Sequence, residues 1–552
     1  MRVVKGWQGL DYGAIVIGAG HNGLICAAYL ARAGIRTLVV EARSNVGGQA
    51  ATEHVLGGAA VNICNCDHGM VRTTSILAEL ELERHGLRYL EVDPASLAVH
   101  WSGGPGWFSF HDVDRTLESL QISYPDEVDA YRRYVKNAVP VARMVSEIGQ
   151  ATPTPGSVLG NLSRNLGRSS RAIPTMLQWL RRSAADVLRS YFTADQVLTP
   201  ALTLGPTVWG VAPEAPGSGL GALTYATKHV VPTGRPVGGS GALPLAVQAA
   251  FEEAGGTVRL GAKVRHILCD GPAVRGVELD SGEVIEAPIV VSAGDTHNAL
   301  VRWLKDPPVA VQPLVDRYRS MPVAEGYEAK VDAVLDARYE WPGVDDTMLA
   351  RLGITRDQSL FPSAVVSKSI AEITADHAAA ARGRIAERPQ FLVQAPSVLD
   401  PSVAAALPAG SEVFSLEVLW APHNLEGGWA GSAEPERWLR KVSELVTMPD
   451  GRPFHEHIVS WRLMGPVEYD RELSMPRGHA QSFAGTPFTA LWGRNREQTR
   501  YETPVRGLFL TGAGTFPGAG VWGASGRNAA SAVLASDGRS ARARRAVVDA
   551  VG

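Results

Sequence analysis

The chain has 552 residues, 45% hydrophobic and 20% charged, with a formal net charge of −3. That length exceeds one compact core and implies two large domains, while the near-neutral charge excludes the concentrated basic surface of a nucleic-acid binder. Only four cysteines, Cys26, Cys64, Cys66 and Cys269, are present, which excludes a disulfide scaffold and fits a reducing, cytoplasmic setting.

The first ten residues, MRVVKGWQGL, show no secretory pattern. Residues 13–34 come nearest to a membrane span, but His21, Asn22 and five glycines spoil the match to hydrocarbon. The same stretch reads better as a nucleotide site. Residues 14–17 form an apolar, partly β-branched run typical of a strand buried on both faces. Gly18, Gly20 and Gly23 follow in GxGxxG spacing, then a helical pattern over 24–33 closed by Gly34. A second strand over 37–40 ends in Glu41, 23 positions after the first glycine. Gly18 permits the tight turn, Gly20 the approach of a pyrophosphate, and Gly23 close packing of helix on strand, while Glu41 accepts from ribose hydroxyls. Strand, helix, second strand and terminal acid in register make the signal specific. Beyond Glu41, Ala42 and Arg43, the pair Gly47-Gly48 again removes side chains, and Gln49 follows.

Residues 62–70 read NICNCDHGM. No second ligand pair at fitting spacing accompanies the crowd of Cys64, Cys66, Asp67 and His68, so no metal is expected. Alternation along a strand puts the two cysteines on one face as small core residues. His68 is a candidate general base because imidazole titrates near neutrality, against the commoner reading of a histidine bonded locally near a turn. Aromatics cluster at 100–112 and 206–210 and are candidates to line an apolar or aromatic pocket, or to pack in an ordinary core, which reads the same.

Pro-rich joints at 152–156 and 213–219 bracket a segment, 175–192, with apolar residues at helical spacing. Residues 157–192 hold six arginines against one aspartate. The segment is therefore expected to be a helix packed on its own domain, or one making peripheral contact with a membrane surface. Further on, a helix over 242–254, a Gly255-Gly256 stop, strands near 257–260 and 263–268, a hairpin turning at Ser281-Gly282 and a strand over 289–293 are expected. The sequence 238–241, GGSG, has the wrong spacing for a second dinucleotide site and precedes Pro244, so a separate NAD(P)H domain is not indicated. Near the end, an apolar run at 507–510, the loop GAGTFPGAGVWGASG at 512–526 and an Ala-rich helix over 527–534 make a strand, a glycine loop and a helix N-terminus in order, an arrangement suited to an anion.

Four blocks, VIGAGHNGLICAAYLARAG (16–34), GGSGALPLAVQAAFEEAGGTVRLGAKVRHI (238–267), VVSAGD (290–295) and TPVRGLFLTGAGTFPGAGVWGASGRNAA (503–530), resemble those of the phytoene-dehydrogenase-related flavoproteins, relatives of carotenoid desaturases within the amine-oxidase-like superfamily. The resemblance implies an α/β fold: a Rossmann-like FAD-binding domain of the glutathione-reductase-like type, interleaved with an α+β substrate or cap domain. It assigns 11–100, 236–300 and 496–536 to the first, 101–235 and 301–495 to the second, and leaves 537–552 as a basic tail. It also implies that FAD meets Gly18, Gly20, Gly23, Glu41, Ala42, Arg43, Gly47, Gly48 and Gln49, that Val264 flanks the adenine, and that Ala293 lies under the flavin. The carboxyl-terminal loop, through Gly512, Ala513, Gly514, Gly520, Val521 and Trp522, is implied to close over the ring system, with Trp522 a second catalytic candidate. Many such proteins carry Arg where Gln49 stands. Carotenoid desaturases commonly have His and Pro where Phe516 and Val521-Trp522 stand, so a carotenoid substrate is not implied.

The activity implied is transfer of a hydride from a substrate C–H to flavin, with oxygen or a quinone as acceptor. A flavin amine oxidase and an FAD-carrying scaffold without turnover are the alternatives. The expected partner is a hydrophobic or aromatic small molecule.

Overall fold

The computed structural model describes residues 10–64, 66–326, 328–479, 482–483 and 495–536; the basic tail 537–552 lies outside them. In chain order the strands are β1 (Ala14–Ile17), β2 (Thr37–Val40), β3 (Thr52–Val55), β4 (Ala59–Asn62), β5 (Tyr89–Glu91), β6 (Ser96–His100), β7 (Trp107–Ser109), β8 (Gly234–Pro236), β9 (Thr257–Arg259), β10 (Val264–Asp270), β11 (Ala273–Leu279), β12 (Val284–Glu286), β13 (Val290–Ser292), β14 (Glu328–Leu335), β15 (Ser363–Ser367), β16 (Phe391–Gln394), β17 (Glu412–Leu419), β18 (Ile458–Met464) and β19 (Leu508–Leu510).

Short apolar strands with no polar alternation belong in a parallel sheet covered on both sides. β19, β13, β1, β2 and β9 form that sheet, all parallel and in that order. One face packs on the helices His21–Arg32, Ala242–Glu253 and Ala524–Ser536, with Leu24, Ala28, Val247 and Val533 among the fully buried contacts. Its other face packs on the three-stranded sheet β10-β11-β12 and on residues 299–318. The expected hairpin turn is present, with Gly282 at φ +86° and its N–H donating to Leu279 O.

A seven-stranded sheet, β18-β14-β17-β16-β15-β6-β7, makes the second half. One face is apolar, built from Val331, Phe391, Leu416 and Val418. Helices from residue 113 to 228 close the cap around Tyr131, Tyr134, Trp179 and Tyr225.

Three expectations are corrected. The boundary placed at residue 100 moves toward the amino end, because β6 pairs with β15 in the second sheet. The boundary at 300 moves the other way, since Leu304, Val311, Leu314 and Tyr318 pack under the first sheet. Residues 175–192 do not form one helix. Helices Ala172–Trp179 and Ala184–Arg189 are separated by a turn, where Ser183 caps the second and the 213–219 joint takes up Arg182 O and Ala184 N. Met176, Ala184, Val187 and Leu188 are buried in the cap, so the segment has no continuous apolar face for a bilayer; Leu177 is exposed within it, and Leu159 and Leu166 are exposed on the preceding helix Pro155–Arg168. Of the 100–112 aromatics, Trp107, Phe108 and Phe110 take the core alternative. No helix among the described residues is long and apolar enough to cross a membrane.

Candidate active site

The amino-terminal turn is built so that backbone meets backbone. Gly18 sits at φ +97°, and a Cβ on Gly23 would lie 2.1 Å from Gly18 O and 2.9 Å from Ala293 Cβ. Only glycine fits that helix-to-strand approach. The helix that starts at His21 has Gly20 as its N-cap with no side-chain cap, so its first N–H groups are left for something outside the chain. Gly47 runs beside this turn, its N–H donating to Ala19 O at 2.9 Å, and Gly48 lies against Gly20. Gln49, half-buried, lies in the middle of the short turn Gly48–Ala50 that leads into β3.

Glu41 stands at the end of β2 with its carboxylate held by two main-chain donors, Ala19 N at 2.7 Å and Arg43 N at 3.0 Å. Ala42, between them, is exposed. Ala262 N donates to Glu41 O at 2.7 Å and Gly261 N to Arg43 O at 2.9 Å, which brings the start of β10 and buried Val264 to the same corner. Arg43 pairs with Glu53, yet its Nη1 is buried without a partner, a cationic donor left for a ligand.

The carboxyl-terminal loop converges on this turn. Gly512, at φ +104°, lies against Ala293 O, and Ala293 N in turn donates to Ile17 O at 2.8 Å. Gly526 packs on Asn22 so closely that a Cβ there would stand 2.2 Å from Asn22 O. Ser525 holds the loop in shape: its hydroxyl bonds Thr511 at 2.7 Å and Thr515 at 2.6 Å and accepts from Gly512 N at 3.0 Å. Ala513 and Gly514 lie inside the turn closed by Thr515 N to Gly512 O, and Ala513 O accepts from Phe483 N. Gly520 is exposed, between Trp522 and Trp209, and Trp522 rests on Gly149 at the end of the helix Val128–Gly149. His21 meets the backbone of Gly520, and burial pushes its imidazole down to about 4, so it is neutral there.

Residues 62–71 connect this floor to the second sheet. Val71 N donates to Val521 O at 2.9 Å. At the other end, Lys330 Nζ donates to Asn62 O at 2.8 Å, the Cys66 thiol to Gln394 Oε1 at 3.1 Å, and Ser363 Oγ to Asp67 Oδ2 at 2.7 Å. Arg235 meets Asp67 at 2.6 Å in a buried ion pair. Burial acts to raise the Asp67 acid, but the charge and hydrogen bond of Arg235 and the Ser363 hydroxyl outweigh it and hold it low. β4 ends at Asn62, so Cys64 and Cys66 do not share a strand face as expected; they belong to this irregular crossing. No group of three or more possible ligands among the described residues is arranged to hold a metal.

His68 lies in the middle of the crossing, fully buried. Its Nε2 bonds Ser240 Oγ at 2.6 Å, its Nδ1 bonds Tyr89 Oη at 3.0 Å, and its backbone pairs with Gly234. Burial, with His21 adding to it, lowers its imidazole to about 3. Both ring nitrogens are thus engaged and the ring is neutral, as a bolt between elements requires. The GGSG turn locks into the same place: Ser240 N donates to Asn62 Oδ1 and Gly241 N to Thr52 Oγ1.

The sheet face that receives this crossing is polar and buried. Directly opposed residues share a face, so Gln394, Ser415, Asp332 and Arg462 form one row and Leu392, Glu417, Lys330 and Met464 the next. Sequence reasoning missed these residues, as well as His21, Ser525 and Arg235. Only β14 carried a signal, its alternation EAKVDAVL, and that pattern reads as a half-solvated strand.

The residues present fit FAD: an uncapped helix start and a second glycine segment for the diphosphate, an oriented carboxylate for ribose, and a glycine loop at a further helix start. Fold and site together define an FAD-dependent oxidoreductase. The chain belongs to the flavin containing amine oxidoreductase family, whose pattern matches residues 23–327. It is similar to pyridine nucleotide-disulfide oxidoreductase domain-containing protein 2 of Rattus norvegicus, 26% identical with 97% of this chain and 95% of that one covered. It is also similar to a lycopene-forming phytoene desaturase of Paracoccus sp. (strain N81106 / MBIC 01143), 27% identical over 95% of this chain and 97% of the other. The crystal structure of an oxidoreductase from Methanosarcina mazei shares the fold, with a TM-score of 0.57 at 16% identity over 95% of this chain and 99% of that one.

Proposed function

We propose that the enzyme removes a hydride from a C–H bond of a largely apolar or aromatic small molecule, with oxygen or a quinone as final acceptor. FAD supplies the hydride acceptor. In this reading its diphosphate lies along Gly18, Gly20, Gly23, Gly47 and Gly48, its ribose meets Glu41, and its ring lies by Ala293 and the 512–522 loop. A helix N-terminus and neutral His21 suit the negative charge of the reduced ring and of the phosphates.

The observation that supports this most is the crossing 62–71, which touches the carboxyl-terminal glycine loop at Val521 and the buried sheet face at Asn62, Cys66 and Asp67. In this reading the substrate is oriented and desolvated between the cofactor floor and the sheet, the two elements that the crossing joins. His68 serves there as a structural bolt, and Trp522 shapes the ring end without exchanging protons.

The test is anaerobic mixing of the FAD-loaded protein with alkenes, alcohols and amines while the oxidised flavin band is followed. Bleaching by one class identifies the bond attacked. Retained colour with every class refutes the hydride reading and leaves a flavin-carrying scaffold. Trp209 and Trp522 on either side of Gly520 favour, as a second reading, an amine oxidase, for which amines alone bleach the flavin.

A further inference from the structure

Charged side chains are almost never fully buried unless paired, and the polar face of the seven-stranded sheet, with the segments against it, holds them in quantity. Lys330 pairs with Asp332, Arg462 with Asp332 at 3.2 Å and with Glu53 at 2.6 Å, Arg43 with Glu53, and Arg235 with Asp67 at 2.6 Å. Those four cations face five carboxylates, because Glu328 and Glu417 stand on the same face as Lys330 and add to Glu53, Asp67 and Asp332. Glu417 lies directly across from Lys330 and is 4% exposed. Its Oε1 is buried with no hydrogen-bond partner in the chain.

An orphaned carboxyl oxygen on a buried face where each of the four cations already holds a carboxylate is a vacancy for a ligand atom. We infer that Glu417 is the residue that meets the substrate, binding through its carboxyl group an oxygen or nitrogen on an otherwise apolar molecule. This rests on the hydride reading above and narrows it: a pure hydrocarbon leaves the Glu417 oxygen unpaired at the cost that buried polar groups carry. The groups that face Glu417 are Glu328, Lys330 and Asp332 of β14, Arg462 of β18 one row away, and Cys64, Cys66 and Asp67 of the crossing. Burial first, and Glu328 beside it, push the Glu417 acid up to about 8 against the pull of Lys330. At neutral pH the residue therefore carries a proton and donates it to the substrate heteroatom.

Infrared spectra of the FAD-loaded protein at pH 7, in H2O and D2O, test the proton directly. The expected result is the carbonyl stretch of a protonated carboxylic acid that shifts in D2O, fades as the pH passes about 8 and is missing from Glu417→Gln. Buried Asp295 and Asp376, each raised to about 6 by burial, contribute only when the pH is lowered below that and serve as internal comparison. No such band at pH 7, or one that survives Glu417→Gln, overturns the inference.

The substrate role is read with whichever compound bleaches the flavin. Wild-type bleaching slows as the pH rises through about 8, whereas Glu417→Gln, with unchanged flavin content, is about tenfold slower and loses that dependence. A compound without oxygen or nitrogen that bleaches both proteins equally fast sinks the Glu417 role and leaves hydride removal standing. A flavin that no compound bleaches sinks both.

Discussion

At the scale of single residues, the site depends on atoms that are missing. Gly23 is the clearest case, since a methyl group there has to enter the space of Gly18 O. We expect Gly23→Ala to part the first helix from β1, to lower stability by about 1–3 kcal/mol as overpacking does, and to yield protein with little bound flavin; absorbance ratio and thermal melting of the purified variant check both. The glycines and Glu41 were legible in the sequence because turn, helix and strand of one βαβ unit are contiguous, so spacing alone encodes their meeting. Ser525 was not, because nothing marks one serine in a glycine-rich loop as the hydroxyl that two threonines and a backbone N–H share. Glu417 and Lys330 escaped for a different reason: they lie on strands far apart in sequence, and only register brings them opposite each other.

At the scale of elements, the crossing 62–71 is fastened by the Asp67–Arg235 pair, which joins it to β8. Removing one partner of a buried pair leaves a desolvated charge, so Asp67→Asn is expected to cost about 3–5 kcal/mol at pH 7, whereas replacing both partners by apolar residues of similar size costs far less. Denaturant midpoints across pH carry a further signature. The folded-state acid of Asp67 lies below its unfolded value of about 3.9. Its contribution is therefore fully present above that value and disappears as the pH falls through the lower folded one. The Asn variant is expected to lack that part of the acid limb, and equal acid sensitivity of the two proteins contradicts the role given to the pair. The succession along the chain of the strands and helices that build the first sheet was readable from hydrophobic runs and glycine stops; their order within the sheet was not. The split of 175–192 was not, because apolar residues at helical spacing survive the turn before Ser183, and the cue lies in the distant 213–219 joint that binds it. The role of β14 was not legible either: its alternation is that of a strand facing water, but the polar side faces the crossing.

At the scale of the whole molecule, residues from both ends of the sequence line one strip, so a ligand bound there restrains the amino-terminal turn and the carboxyl-terminal helix together. FAD at 100 times its dissociation constant is expected to add about 2.7 kcal/mol to stability, seen as a higher melting temperature for loaded than for stripped protein; equal melting temperatures contradict a site shared by both segments. The first sheet also has a timetable. β13 is made more than 200 residues before β19, the neighbour that covers its outer edge. With synthesis running at about 5–20 residues per second, that apolar edge waits tens of seconds, and a bare edge is a template for a stranger's strand. Production of the yellow protein is accordingly a race between completion of translation and strand exchange among nascent chains, and slower initiation or abundant chaperone decides it in favour of the finished enzyme.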